Sequence, residues 1–464
     1  MSPATPSRLK HAEFHGRIGT ARTTITPPVG IYSRTWGSAQ HDVAEGVHRP
    51  ALASCLVFQS LAGDSELVFV TLDSCCADDG EVAAIRAAIL KHFGLKPEQL
   101  MLHPSHSHSL PFLTRRTADR AGGELLTSYL DGLAPICITL VEQARKSLAE
   151  GVVSWAYGRC SLAFNRDAVD PASGRDICGL NLTEKADDTL LIGRVSDGGG
   201  RIRATIVNYA CHPVSLGGGN RLLSPDYIGA MREVVERDTG GAPCLFLHGA
   251  SGDMTPLRSY ESDTAIADQN GRQLGYAALS TLTGMLPPEQ EIAFDRIEDS
   301  GARLGRWSLR PKPASTVLKA TVSDTELPYV DLPTEAELLE AIKTCTDRPL
   351  KERLERRLMV RRDVGDGTSR QVRTTLLQIG DAFLVGAPAE PYSAFQKEIR
   401  KRHPGHAVMV LNIVNGNVGY LAPADTYDKP GLYQIKISLF RPGCMEQVVE
   451  DTSKSLKVLE TAHG

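Results

Sequence analysis

Met101-Leu102-His103-Pro104-Ser105-His106-Ser107-His108-Ser109 is the stretch on which the reading of this chain turns. It holds three of the thirteen histidines within six positions. Neutral imidazole is a good ligand for zinc, copper or iron, and two histidines two residues apart can reach one ion. The residues ahead say how the stretch is presented. Glu66–Leu72 (ELVFVTL) reads as a buried strand, residues 80–92 as a helix closed by Gly94, and residues 99–103 as the next strand. In this strand-helix-strand unit the histidines emerge where the second strand ends, the place where ligand sites gather in open α/β sheets. The competing reading is a polar loop whose histidines face water, and partners elsewhere in the chain must decide between them.

The whole chain sets the bounds. Its 464 residues are enough for one large domain or two to three ordinary ones. Charged residues are 23% and hydrophobic ones 42%, an ordinary globular composition. A net charge of -4 gives no reason to expect nucleic acid as a partner. The first residues lack the apolar run of a secretory signal, and no run of 18 apolar residues argues for a membrane span. Ten scattered cysteines with no CxxC pair read as reduced thiols, so a cytoplasmic setting is expected. A metal site would then use His and oxygen ligands.

Three further stretches end strands with ligand-type residues. Residues 201–213 (RIRATIVNYACHP) read as a strand with His212 just beyond it. After it, a helix is expected to begin near Ile228. Residues 243–247 (PCLFL) read as a short buried strand followed by His248-Gly249-Ala250-Ser251-Gly252-Asp253-Met254-Thr255-Pro256, small residues that allow close backbone approach. A hairpin of residues 372–379 and Ala382–Gly386 delivers Pro388-Ala389-Glu390-Pro391, a carboxylate on a restricted backbone. Residues 407–414 form a last buried strand, followed by Asn415-Gly416-Asn417-Val418-Gly419-Tyr420 and then Tyr433. Elsewhere residues 1–15 read as a flexible N-terminal arm, 125–148 as a helix with a kink or break at Pro135, and 167–188 as a loop. Residues 300–371 read as a charged helical insertion, with helix over 335–362 interrupted near Pro349. No internal repeat or low-complexity linker appears, so residues 16–464 read as a single catalytic domain.

In this order GVHRP (46–50), SHSHS (105–109), FNR (164–166), NYACHP (208–213), SPDYIG (224–229), GDMTP (252–256), APAEP (387–391) and GYLAPADTY (419–427), with the strand over 17–29, resemble the neutral/alkaline ceramidases. These are zinc-dependent hydrolases of the N-acyl bond of ceramide. The resemblance implies an α/β fold, a mixed β-sheet core flanked by helices, here without the C-terminal β-sandwich of known members. It places zinc (Zn2+) on His106, His212, Glu390 and Tyr420. It places further active-site groups on His108, Arg166, Tyr433 and Thr255. Tyr433 needs a small insertion relative to the family pattern. Thr255 stands where the family has serine; it keeps the hydroxyl, which suits positioning better than an obligatory nucleophile. Tyrosine is an uncommon zinc ligand, so Tyr420 either binds directly or donates from outside the ligand set.

Such a site would generate hydroxide near neutral pH to attack an amide carbonyl. His108, Arg166 or Tyr433 would stabilise the oxyanion, and a histidine or Glu390 would carry the proton to the leaving amine. The expected substrate is a small soluble N-acyl amide or related ester, argued from the missing export signal and missing second domain. True ceramide hydrolysis and a catalytically altered metal-binding protein are the alternatives. A metal-dependent amidohydrolase barrel also uses a His-x-His pair, but its regular βα units are absent here.

Overall fold

The computed structural model describes residues 8–461. An eight-stranded sheet runs, edge to edge, through Cys244–His248, Ile202–Tyr209, Thr189–Ser196, Ala149–Arg159, Ala12–Thr24, Leu52–Gln59, Glu66–Leu72 and Leu100–Pro104. The two outermost pairs, Ile202–Tyr209 with Cys244–His248 and Glu66–Leu72 with Leu100–Pro104, are parallel, and every pair between them is antiparallel. A second sheet runs Leu318–Pro328, Ser369–Ile379, Ala382–Gly386 and Ala407–Leu411, its last pair parallel.

Alternating side chains explain how these strands stack. Leu56, Phe58, Leu67, Phe69 and Met101 of the first sheet meet Leu377, Ile379, Leu384, Met409 and Leu411 of the second. The intervening residues point the other way. Cys55, Val57, Val68 and Val70 pack under the helices Asp79–Phe93 and Gly123–Lys146. Phe246, Val207 and Ile192 pack under Tyr227–Asp238 and Thr264–Thr283. Phe383, Val385, Val408 and Val410 pack under Ser393–Arg402 and Cys444–Thr461. The result is four layers, helix-sheet-sheet-helix, and the strands buried on both faces read as continuous apolar runs for that reason. Gly123–Lys146 is the one described helix long and apolar enough to cross a membrane, but Leu126, Leu130, Leu133, Cys137 and Leu140 place one of its faces in the core.

Several expectations change. Residues 8–15 form strand rather than arm: Arg8–Lys10 pairs with Gln290–Asp299, and Phe14 lies buried between the sheets. Residues 1–7 lie outside the described part. The interval 300–371 is helical over little more than a third of its length. It begins with the strands Arg303–Pro311 and Leu318–Pro328, whose dense charge masks their pairing, and continues with the helices Glu335–Thr344 and Arg348–Val364. The helix break falls at 345–347, because Pro349 sits in the first turn of the second helix, where it needs no N–H partner. The helix Gly123–Lys146 continues through Pro135 without a break. The interval 167–188 contains the strand Asp176–Asn181 paired with Ala163–Val169.

One buried ion pair clamps helix to sheet. Arg232 Nη1 donates to Asp73 Oδ2 at 2.6 Å and Nη2 to Oδ1 at 3.0 Å, and both residues are buried. Removing one partner strands the other charge in the core, so Asp73→Ala is expected to cost about 3–5 kcal/mol in denaturant unfolding. A loss below about 1 kcal/mol would show that the clamp carries little.

Candidate metal centre

The two edges of the large sheet meet at their C-terminal ends. The backbone N–H of His248, on one edge strand, donates to Nε2 of His103, on the other, at 2.8 Å. Continued twist has curled the sheet until its first and last strands touch. The loops that leave those ends therefore converge, although they are far apart in sequence.

Three atoms come together there. Nε2 of His106 lies 3.2 Å from Nε2 of His212 and 3.2 Å from Oε2 of Glu390, and His212 Nε2 lies 3.3 Å from the same carboxylate oxygen. Each imidazole is oriented from behind: Nδ1 of His106 donates to the Cys75 carbonyl at 2.9 Å, and Nδ1 of His212 to the Ser251 carbonyl at 2.7 Å. With both protons on Nδ1, both Nε2 lone pairs and a carboxylate oxygen face one point. Without a cation they repel. Tetrahedral zinc with bonds of about 2.0–2.1 Å separates its ligand atoms by about 3.3 Å, so this donor set fits zinc.

Electrostatics follow the same geometry. Burial alone would lower the pKa of His106, but the Glu390 carboxylate raises it above the ordinary value. Burial would raise Glu390, yet His106 and His212 hold it well below the usual carboxylate range. His212 falls to about 3, through burial first and then Arg166. His108 is driven well below its ordinary value by burial and by His106, which leaves it neutral.

The remaining expected residues surround this triangle. His108 Nε2 is 3.4 Å from His106 Nε2, and its ring packs against Trp36 with centroids 5.3 Å apart. Tyr420 is placed beside Glu390 by a short parallel pairing, Glu390 with Tyr420 and Pro391 with Leu421. Its hydroxyl accepts from Arg166 Nη2 at 3.0 Å, and Arg166 also donates to the Gly252 carbonyl from Nε and Nη2 at 3.0 and 2.7 Å. Tyr433 lies at the rim, its ring 6.2 Å from that of Tyr420 and 39% exposed. Thr255 is buried in a strand opposite Phe164, its hydroxyl beside Tyr260. The three N/O donors thus come together, with Tyr420 and Arg166 forming one hydrogen-bonded unit next to them.

Sequence reasoning passed over the supports. Ser251 Oγ bridges His212 Nδ1 at 3.1 Å and His248 Nε2 at 2.8 Å. Asp253 accepts from the Ser393 backbone N–H at 2.6 Å and its hydroxyl at 2.8 Å, tying the loop after one strand to the segment that bears Glu390. Gly252 N–H donates to the Pro391 carbonyl at 2.9 Å, and a Cβ on Gly252 would sit 2.9 Å from the Glu390 carbonyl. Asp226 accepts from the Leu216 and Tyr227 N–H groups at 2.9 and 2.7 Å. A further signal is backbone strain: His106, Asp226, Tyr260, Ile413 and Asn415 all have φ between 53° and 65° without being glycine.

No family model and no curated protein matches the sequence. The fold does have solved counterparts. The chain is similar in structure to neutral ceramidase from Pseudomonas aeruginosa, with a TM-score of 0.68 and 16% identity over 97% of this chain and 75% of that one. A ceramidase complexed with C2 is similar at a TM-score of 0.68 and 15% identity, over 97% and 76%. The chain has the neutral ceramidase fold, as its ordered motifs imply.

Two measurements check the centre. Purified protein is expected to carry one zinc per chain, and His106→Ala, His212→Ala or Glu390→Gln to lose it while His108→Ala keeps it. Protons compete for the ligands, so affinity falls with falling pH. Because His212 titrates near 3 and Glu390 well below its ordinary value, only His106 competes near neutrality. Zinc affinity should therefore drop about tenfold per pH unit below the raised His106 pKa, a one-proton slope; a two-proton slope would contradict the assignment.

Proposed function

We propose that the protein is a zinc-dependent hydrolase that cleaves the C–N bond of an N-acyl amide, acting on a small soluble amide or related ester. One observation carries the reading: two imidazole Nε2 atoms and a carboxylate oxygen, mutually 3.2–3.3 Å apart, with both Nδ1 protons committed to backbone carbonyls. Zinc would be held by His106, His212 and Glu390, with Tyr420 as the fourth candidate ligand, and would supply a Lewis acid that lowers the pKa of water toward neutrality.

The chain's own residues supply the rest. His108 is half-buried and neutral, so its Nε2 can accept a proton from the attacking water and return it to the leaving nitrogen as the C–N bond breaks. Arg166 donates to the Tyr420 oxygen, and with Tyr420 outside the ligand set its O–H is free to donate to the developing oxyanion. Gly252 holds Arg166 in place, and Tyr433 stands at the rim to bound the substrate. The likeness to ceramidases supports an acyl-amide substrate. Ten free thiols, mostly buried, support a reducing, cytoplasmic setting.

A panel of N-acyl amides, esters and long-chain ceramide tests this on zinc-loaded protein. Short soluble amides or esters should be hydrolysed and long-chain ceramide poorly; efficient ceramide cleavage with no activity on short substrates would reverse the substrate reading. His108→Ala should lower kcat by about 10²–10⁴-fold at unchanged zinc content. Zinc-loaded protein inactive across the whole panel would remove the hydrolase reading.

A further inference from the structure

The helix Arg348–Val364 touches two segments that flank the metal centre. At its first turn Arg348 Nη2 donates to the Gly37 and Ala39 carbonyls at 3.2 and 2.9 Å, and Glu352 accepts from Arg34 Nη2 at 2.6 Å. These contacts belong to the loop whose Trp36 packs on His108. One residue on, the Arg353 guanidinium lies 5.8 Å from the ring centroid of Tyr433, which stands at the rim beside Tyr420. Positions 349, 352, 353 and 356 follow the spacing i, i+3, i+4, i+7 and so share one face of the helix. Pro349 meets the loop from that face, 3.5 Å from where a Cβ on Gly37 would sit, and Leu358 is buried on the other. Arg356 therefore extends the row that joins the Trp36 loop to Tyr433.

Most cations nearby are already paired. Arg34 binds Asp42 and Glu352, Arg348 binds Glu352, Arg361 binds Asp366 and Arg362 binds Glu335. Arg353 and Arg356 are exposed and, among the described residues, have no carboxylate partner; Arg357 is the same and adds to their field. Deeper in, Arg166 is buried, and its hydrogen bonds go to the Gly252 carbonyl and the Tyr420 hydroxyl rather than to a carboxylate. These charges surround one space. Burial raises the pKa of the Tyr433 hydroxyl, the Glu390 carboxylate raises it further, and Arg356, Arg166 and Arg353 act against both. The one acid in that set, Glu390, is committed to His106 and His212. The approach to the centre carries an excess of positive charge.

We propose that the substrate bears a carboxylate or comparable small anion, seated between Arg353 and Arg356 while its acyl–nitrogen bond reaches the metal centre. This substrate class presupposes the hydrolase reading above, and the two arginines select within it. Residues at i and i+3 have Cβ atoms about 5–6 Å apart, so two guanidiniums can grip one carboxylate. Stacking on Tyr433 holds Arg353 in place, which reduces the side-chain entropy lost on binding. An uncharged chain gains nothing from such a row, and a cationic one is repelled by it. Both arginines face water, so each contributes a factor of roughly two to five and the pair about tenfold.

Matched pairs of substrates test this on the zinc-loaded full chain. N-butyrylglycine is compared with N-isobutylbutyramide, and glutaryl butylamide with its counterpart bearing isopropyl in place of the carboxylate. The two pairs put the charge on either side of the scissile bond. At least one anionic member should show a kcat/KM about tenfold above its isostere, mainly through KM, with the advantage shrinking as salt is raised. In the double variant Arg353→Gln, Arg356→Gln that ratio should fall toward one at unchanged zinc content, and Arg356→Lys should keep most of it. Equal turnover within both pairs overturns the anion site and leaves the hydrolase reading standing. A preference that survives in the double variant overturns it too. If no probe is hydrolysed, calorimetric titration of the anionic probes decides: binding that is lost in the double variant upholds the arginine site while the hydrolase reading falls, and binding that is absent or unchanged overturns both. Phosphatidylserine vesicles bound by the parent and not by the double variant, with no preference within the pairs, would assign the row to a membrane surface and overturn the proposal.

Discussion

Two N–H to carbonyl hydrogen bonds carry the candidate centre: His106 Nδ1 to Cys75 and His212 Nδ1 to Ser251. They set the tautomer of both rings and so the direction of both Nε2 lone pairs. Placing two such acceptors and an ionised carboxylate within 3.3 Å of one another is unfavourable unless a cation or a shared proton sits between them. The fold must therefore hold these groups together against their repulsion. It does so with the curled sheet, whose edges are joined by His248 and His103.

Much of what identifies this chain as ceramidase-like is scaffold rather than chemistry. Ser107 donates to the Ser224 carbonyl, Ser224 Oγ bonds His48 Nδ1, the Tyr227 hydroxyl donates to the Cys211 carbonyl, and the His108 N–H donates to the Pro213 carbonyl. These contacts connect the motifs at 46–50, 105–109, 208–213 and 224–229 in a closed circuit around His106 and His212. Gly252 and Asp253 do the same for Glu390 and Arg166. Each motif matters because the loop it braces has no helix or sheet ladder of its own. Positive φ at His106, Asp226, Ile413 and Asn415 costs roughly 1–3 kcal/mol apiece, and this bracing is what sustains it.

The site and the ribbon have different physical characters. The histidine loops bury charge and polar groups under close hydrogen bonding. The ribbon of Gln290–Asp299 and Arg303–Pro311 is exposed on both faces beyond Ala293, with Phe294, Ile297, Trp307 and Leu309 on one of them and no partner for that face among the described residues.

The sequence by itself determined the elements and the ligand types. Apolar runs such as residues 66–72 and 407–411 announced strands buried on both faces, and His106, His212 and Glu390 each stood just past one. Their order along the chain was enough to reveal the ceramidase likeness. Only the tertiary structure decided that the three meet, because sheet curl and parallel edge pairing are long-range effects that no local period encodes. It also decided the supports. Ser251, His248 and Asp253 look like turn residues in sequence, and their partners lie on other strands. The charged stretch from 303 to 311 was the hardest to read: both faces of its strand carry exposed residues, so alternation of polar and apolar side chains, the usual mark of a strand, was diluted by arginines on the solvent side.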